Sequence, residues 1–277
     1  MGDINLSLNC RIFNILDALD IINQLENFDR ILIKPNYCHL RDPSTGTITS
    51  PEVIEGVLTY LTKHTDKEIL IGDGGAYMYN TSQKIFQMSG IFSVLEKFPE
   101  VKLIDFLIDE KVQINCRGKY LKKVDIASSC TDCGIINLPK LKAHHSAYLT
   151  VGMKNLIGLM DNKRAIHGDF MHNKIYELYS YFEPNIICTL VDGIIVMQDT
   201  EVDGRTEHMN VLLGGTDTVF VDTLCANILD IPLDKIGYLK LALNSKGHSP
   251  AEASAELTEL LTKNDFILYD GARLCKN

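Results

Sequence analysis

The sequence predicts an α/β protein: a mixed, largely parallel sheet with helices on both faces. Three observations carry that expectation. Short apolar runs of strand length recur along the chain, most of them stopped by proline or glycine. Segments of helical pattern lie between them, and the mean hydropathy of +0.02 suits elements buried on both faces. No internal repeat, low-complexity tract or Pro/Ser-rich linker divides residues 1–277. They read as a single α/β module, long enough for one core or for two lobes sharing a core.

The elements follow in order. Residues 30–34 (RILIK), ended by Pro35-Asn36, read as a buried strand. Ser50-Pro51-Glu52 opens a helix, with Ser50 suited to the N-cap and Pro51 to the first helical position. Val57, Leu58 and Leu61 give that helix an apolar face. Residues 68–72 (EILIG) form a second strand that runs into Gly72-Asp73-Gly74-Gly75, and 101–106 form a third. Residues 111–123 alternate and read as a hairpin or edge element. Residues 134–138 (GIINL), stopped by Pro139, are a fourth buried strand. Residues 147–160 are apolar nearly all round and read as a buried helix with Lys154 as its one charge. Runs 186–191 and 194–197 flank Asp192-Gly193, and 211–213 lead to Gly214-Gly215. Residues 218–229 read as an amphipathic helix and 266–268 as a last strand. Segments 38–49 and 197–207 are the best suited to act as lids.

Composition excludes several classes. The formal net charge of −9 argues against nucleic acid, which requires phosphates to be neutralised. Lysines gather at Lys119, Lys122, Lys123, Lys140 and Lys142, enough for a small anion and too few for a duplex. No segment approaches the ~18 apolar residues of a membrane helix, and Met1 to Cys10 lack the pattern of a signal peptide. A cytoplasmic protein that does not contact membrane is expected. Its eight cysteines then read as reduced thiols packed as small apolar groups. Cys130-Thr-Asp-Cys133 has metal-ligand spacing, but no second pair completes a four-thiolate site.

The chemistry concentrates between Lys140 and His172. In extended chain, Lys140, Lys142 and His144 point the same way, just past the carboxyl end of a strand. Two ammonium groups beside an imidazole suit a carboxylate or phosphate, with a group able to move a proton near neutral pH. A solvated basic loop is the plainer alternative. Lys154 in an apolar segment must be paired or have a lowered pKa, unless it snorkels to the surface. Arg164, His167, Asp169 and His172 follow. Through a turn at Gly168 the last three can converge as a metal half-site, or Asp169 can orient an imidazole; otherwise they are surface polar groups. The turn at Gly72-Asp73-Gly74-Gly75 lacks the sixth-position glycine of a dinucleotide fingerprint, which leaves a plain turn or an anion contact.

Several motifs then combine: Lys34-Pro35-Asn36, Gly72-Asp73-Gly74, Asn137-Leu138-Pro139-Lys140-Leu141-Lys142-x-His144, Lys154-Asn155-x-x-Gly158, Asp192-Gly193 and Gly215-x-Asp217-x-x-x-x-Asp222. Together they resemble a bacterial and archaeal family catalogued as domain of unknown function 362. The resemblance implies a site built on these motifs and adds Lys34, Asn36, Asp73, Gly74 and Asn155 to the substrate-binding set. Members are often fused to ferredoxin-type iron–sulfur modules. This chain has no cysteine run of that type, so no iron–sulfur cluster is expected in it. The family is also distantly similar to the amino-terminal part of nickel-dependent lactate racemase.

The expected function is an enzyme acting on a small carboxylate or phosphate by acid/base chemistry of isomerase or racemase type. Lys140, Lys142 and Arg164 would hold the anion. His144 and His167 would move protons, Asp169 would orient an imidazole, and Lys154 would stabilise charge. The alternatives are a metal- or cofactor-binding protein without turnover, with a divalent ion at His167 and His172, and a small-anion sensor. Association with a second copy of the chain is left open.

Overall fold

A computed structural model describes residues 2–253, 266–270 and 273–275, with side chains described from residue 8 to 253. Eleven described strands form one sheet. Its central path begins with β1 (Arg30–Pro35), β2 (Glu68–Asp73) and β3 (Lys102–Asp105), which run parallel in that order. The chain then returns to the other side of β1, where β6 (Gly134–Leu138) pairs parallel to it and β9 (Ile186–Met197) pairs parallel to β6. Strand order therefore reverses at β1, and open α/β sheets place their ligands outside the carboxyl ends of the strands at such a point. Antiparallel β11 (Val211–Gly215), β12 (Phe266–Asp270) and β13 (Arg273–Cys275) extend the edge beyond β9.

Side chains alternate across the parallel strands and build two cores. Ile31, Ile33, Ile69 and Ile71 pack with α1 (Gly2–Ala18), α2 (Ile21–Leu25), α3 (Pro51–His64), α4 (Gln83–Ser89) and α5 (Ile91–Leu95). Leu32, Leu70 and Ile135 face the other way. They pack with α6 (Gly152–Asn155), α7 (Met171–Phe182), α8 (Thr218–Ile228), α9 (Gly237–Ser245) and the hairpin β4 (Lys111–Asn115)/β5 (Lys123–Ala127). Helices thus cover both faces of a mixed, mainly parallel sheet. Among the described residues no helix is long and apolar enough to cross a membrane.

Four expectations need correction. Residues 147–160 are not one helix: β8 (Tyr148–Thr150) pairs with β7 (Lys140–His144), and the single turn of α6 is followed by a 3-10 turn at Leu156–Leu159. The Asp222 carboxylate accepts the Gly152 and Met153 N–H groups at 2.7 and 3.1 Å, which starts the helical turn only there. Runs 186–191 and 194–197 are one strand, because β11 pairs through Gly193 while β7 pairs along the second half of β9. Helix α8 is buried on nearly every side from Thr218 to Ala226 rather than amphipathic. Lys119, Lys122 and Lys123 are exposed on the β4–β5 hairpin and stand apart from Lys140 and Lys142. Helix α1 had no counterpart in the sequence reading, although Leu8, Ile12, Ile15 and Leu16 give it a buried stripe at helical spacing. The strand expected as the last one, at 266–268, extends to Asp270 and is followed by β13; its side chains and Cys275 lie outside the described side chains.

Candidate functional site

A cavity of about 570 Å³ opens at the carboxyl ends of β1, β2 and β6. Its floor is a network of buried amides and ions. Asn155 donates to the Lys34 carbonyl at 3.1 Å and to Asn137 Oδ1 at 2.8 Å, and accepts from Asn36 Nδ2 at 2.8 Å. Lys34 Nζ lies 2.6 Å from Asp73 Oδ2, and Asp73 also accepts the N–H groups of Tyr37 and Gly75. Gly158 packs directly on this ion pair: a Cβ there would stand 2.6 Å from Lys34 Nζ and 2.8 Å from Asp73 Oδ1. A Cβ at Gly74 would meet Lys163 Nζ at 2.6 Å. Both positions therefore admit only glycine without displacing a charge.

Cations line the walls. Lys142 is buried and its ammonium is fully used, donating to Asn36 Oδ1 and the Thr47 carbonyl at 2.7 Å each and to Cys38 Sγ at 2.9 Å. Lys154 differs. It lines the cavity, and no described residue accepts a hydrogen bond from its ammonium. Burial, with Lys142 nearby, lowers its pKa to about 8. Lys163 is buried, donates to the Met160 carbonyl at 2.7 Å, and is also lowered to about 8 by burial despite Asp73. Arg164 lies over the Tyr77 ring at 5.1 Å, and His167 meets the same ring edge-on at 5.6 Å. Burial and then Lys154 hold the His167 pKa below its usual value.

The third wall joins His144 and His145 to Glu201. His144 is buried at the end of β7, and its Nδ1 accepts the backbone N–H groups of Ser146 and Ala147 at 3.1 Å each. Its Nε2 faces Glu201 Oε1 at 3.6 Å, and its ring stacks on that of His145 at 4.7 Å. Burial and then Lys154 hold its pKa well below the imidazole range. Burial works against the charge of Glu201, but the hydrogen bond from His145 and the nearness of His144 hold its carboxyl below the usual range. His39 also lines this side, lowered to about 4 by burial and then by Lys142.

Several expected site residues stand elsewhere. Lys140 lies outside the cavity lining, fully buried in an ion pair with Asp192 at 2.9 Å. Lys34 and Gly74 sit beneath the cavity wall rather than on it. Asp169 is exposed on the turn after His167 and does not line the cavity, so it orients no imidazole there. His172 packs against Gly237 and stacks on Tyr238, with Nδ1 buried and unpartnered, because helix α7 turns it away from His167. The His167/His172 metal pair is therefore not assembled. Asn36, Asp73, Lys142, His144, Lys154, Asn155, Arg164 and His167 do line the one cavity.

Among the described residues the group that can gather around a metal ion is instead His144, His145 and Glu201, whose ligand atoms lie within 4.8 Å of one another. It fits an ion poorly. Two backbone donors occupy the His144 Nδ1 lone pair, so Nε2 carries the proton; binding a metal there would force a proton onto Nδ1, against both donors. Sequence reasoning missed Lys163, Glu201, His145, His39 and Tyr77. Cys38, His39 and Glu201 do lie in the two segments read as lids, and Arg41–Asp203 joins those segments at 2.7 Å.

Comparison with known proteins places the chain in a family. Residues 31–227 match the model of the family described as Domain of unknown function (DUF362). That span includes every cavity-lining residue. A thylakoid-associated protein of Synechocystis sp. is 24% identical over 257 residues, covering 89% of this chain and 76% of that protein. No solved structure matches the chain. Neither match names a reaction.

Proposed function

The chain belongs to the family described as domain of unknown function 362, and from that premise we propose that it is an enzyme acting on a small carboxylate or phosphate by acid/base chemistry. One observation carries this reading: the Lys154 ammonium faces the cavity with no protein acceptor, beside Lys142, whose own donors are all used. Lys154 is half-buried, so an ammonium held in the cavity without a protein acceptor is partly desolvated, and a bound anion offsets that cost. Arg164 and Lys163 add positive charge, against Asp73 and Glu201 as the lining carboxylates.

The proton-moving group we assign is His167. It lines the cavity, and with its pKa held below the ordinary value it is neutral at pH 7, so its free ring nitrogen can accept a proton. The chemistry is proton abstraction beside the carboxylate: the Cα–H bond breaks, its proton passes to the imidazole, and its electron pair is held on oxygen as an enolate. Return of the proton completes an isomerisation. The cavity volume of about 570 Å³ leaves room for a substrate with a body beyond its anionic head, against Tyr77 and Ile157.

The test is a binding screen of small carboxylates and phosphorylated metabolites, read by thermal shift and calorimetry, followed by turnover assays on the binders. Anions that stabilise wild type and Lys154→Met equally would overturn the reading.

A further inference from the structure

We propose that His144 acts on the substrate as a neutral hydrogen-bond donor, presenting Nε2–H to the oxygen that gains charge, and takes no part in proton transfer. This inference rests on the enzyme reading above and narrows its substrate to acids whose deprotonation leaves an enolate oxygen. The turn between β7 and β8 fixes the ring. Nδ1 of His144 stands where a carboxamide oxygen stands in an Asx turn, and it takes the N–H groups of both Ser146 and Ala147. Ser146 Oγ also lies 3.3 Å from it and can serve either tautomer, but the two backbone N–H groups can only donate, so the nitrogen presents its lone pair to them. The ring proton is therefore on Nε2, and an imidazolium would set an Nδ1–H against two N–H groups.

The surroundings act in the same direction. Lys142 on its own strand and Lys154 on the α6 turn oppose a positive ring, and the stacked His145 does not relieve it. Glu201, from the segment between β9 and β10 (Thr206–Glu207), is the one carboxylate nearby among the described residues. Its Oε1 lies 3.6 Å from Nε2, beyond a normal hydrogen bond. A carboxylate oxygen thus already stands near the donor, and a ligand oxygen seated at about 2.8 Å would take its place. A neutral imidazole used in this way polarises oxygen without surrendering its proton, a role that needs the tautomer locked as it is here. When the Cα–H electron pair moves onto oxygen and the proton goes to His167, the Nε2–H bond to that oxygen strengthens and remains N–H throughout.

The experiment is nitrogen-15 NMR of the full chain, with His144 assigned by comparison with His144→Gln. Inorganic phosphate and oxalate, a planar mimic of a 2-oxo acid enolate, serve as probes. The expected spectrum shows bare Nδ1 and protonated Nε2, unchanged from pH 5.5 to 8.5, and oxalate moves the Hε2 resonance downfield. His144→Gln, which keeps a donor but cannot serve as a base, should hold oxalate within about threefold, while His144→Leu should lose roughly tenfold or more. A proton on Nδ1, titration inside that range, or an unmoved Hε2 with oxalate bound elsewhere in the cavity would overturn the assignment and leave the anion site standing. If neither probe perturbs any cavity resonance, the anion reading fails and this inference with it, whatever the tautomer.

Discussion

The ammonium of Lys140 stands 2.9 Å from Asp192 Oδ1, and both side chains are completely buried. Asp192 also accepts the Ser50 N–H at 2.8 Å and the Ile194 N–H at 3.1 Å, so the pair ties the start of α3 to β7 and β9. Lys140→Met leaves that carboxylate without its counter-charge. Urea unfolding should show a loss of about 3–5 kcal/mol, much of it recovered in the double variant with Asp192→Leu. Oxalate affinity of the folded Lys140→Met protein should be unchanged, since the pair lies outside the cavity.

Lys154→Met should behave in the opposite way. It removes an ammonium that has no protein acceptor, so the melting temperature should hold or rise. Anion affinity should fall by about 2–4 kcal/mol in calorimetry.

The lowered pKa of Lys154 predicts two opposed pH effects. Its folded value of about 8 lies below the ordinary 10.5, so the folded chain sheds this proton before the unfolded chain does. The contribution of Lys154 to stability therefore rises as pH goes from 8 to 10.5. Anion affinity runs the other way and falls as pH passes 8, because the charged form is the one that binds. Calorimetry from pH 7 to 9.5 should show this decline in wild type and a shallower one in Lys154→Met, where Lys163 alone still titrates near 8.

Glu201→Gln should raise oxalate affinity roughly tenfold, about 1.4 kcal/mol. The carboxylate it removes lines the cavity within 3.6 Å of His144 and competes with an incoming anion for the same donor. Unchanged or weaker binding would mean that Glu201 contacts the ligand's cationic or hydroxyl groups instead.

Thiol titration of denatured, unreduced protein should recover all eight cysteines of the sequence. Seven are free in the described structure. In the folded protein exposed Cys10 should react first. Cys188 and Cys225 should react last, since burial removes access and raises their thiol pKa values, that of Cys188 to about 12.

The sequence by itself determined the strands and part of the cavity lining. Runs such as Ile31–Ile33 and Ile135–Ile136 have no stable alternative to burial on both faces of a sheet, so β1, β2 and β6 were legible from composition and their Pro and Gly stops. Lys142 was legible because it leaves a strand end, where local geometry fixes direction, whereas Asn36, Asp73 and Asn155 came from the family resemblance; all four line the cavity. What the sequence could not express was which charge meets which. Lys140 and Lys142 are two residues apart and look equivalent in extended chain, yet Asp192 claims one, while three acceptors from residues 36–47 hold the other at the cavity. The apolar run around Lys154 matched a helix until the carboxylate of Asp222, some seventy residues away, chose where the helical turn begins. His167, Asp169 and His172 looked convergent, but helix α7 carried His172 to Tyr238 and left Asp169 in solvent. Glu201 reached His144 only through the packing of residues 197–207 near residues 38–49. Such pairings depend on the full three-dimensional path of the chain, because an ion or a hydrogen-bond donor selects its partner by distance in space and burial, and neither is encoded within the few residues on either side of it.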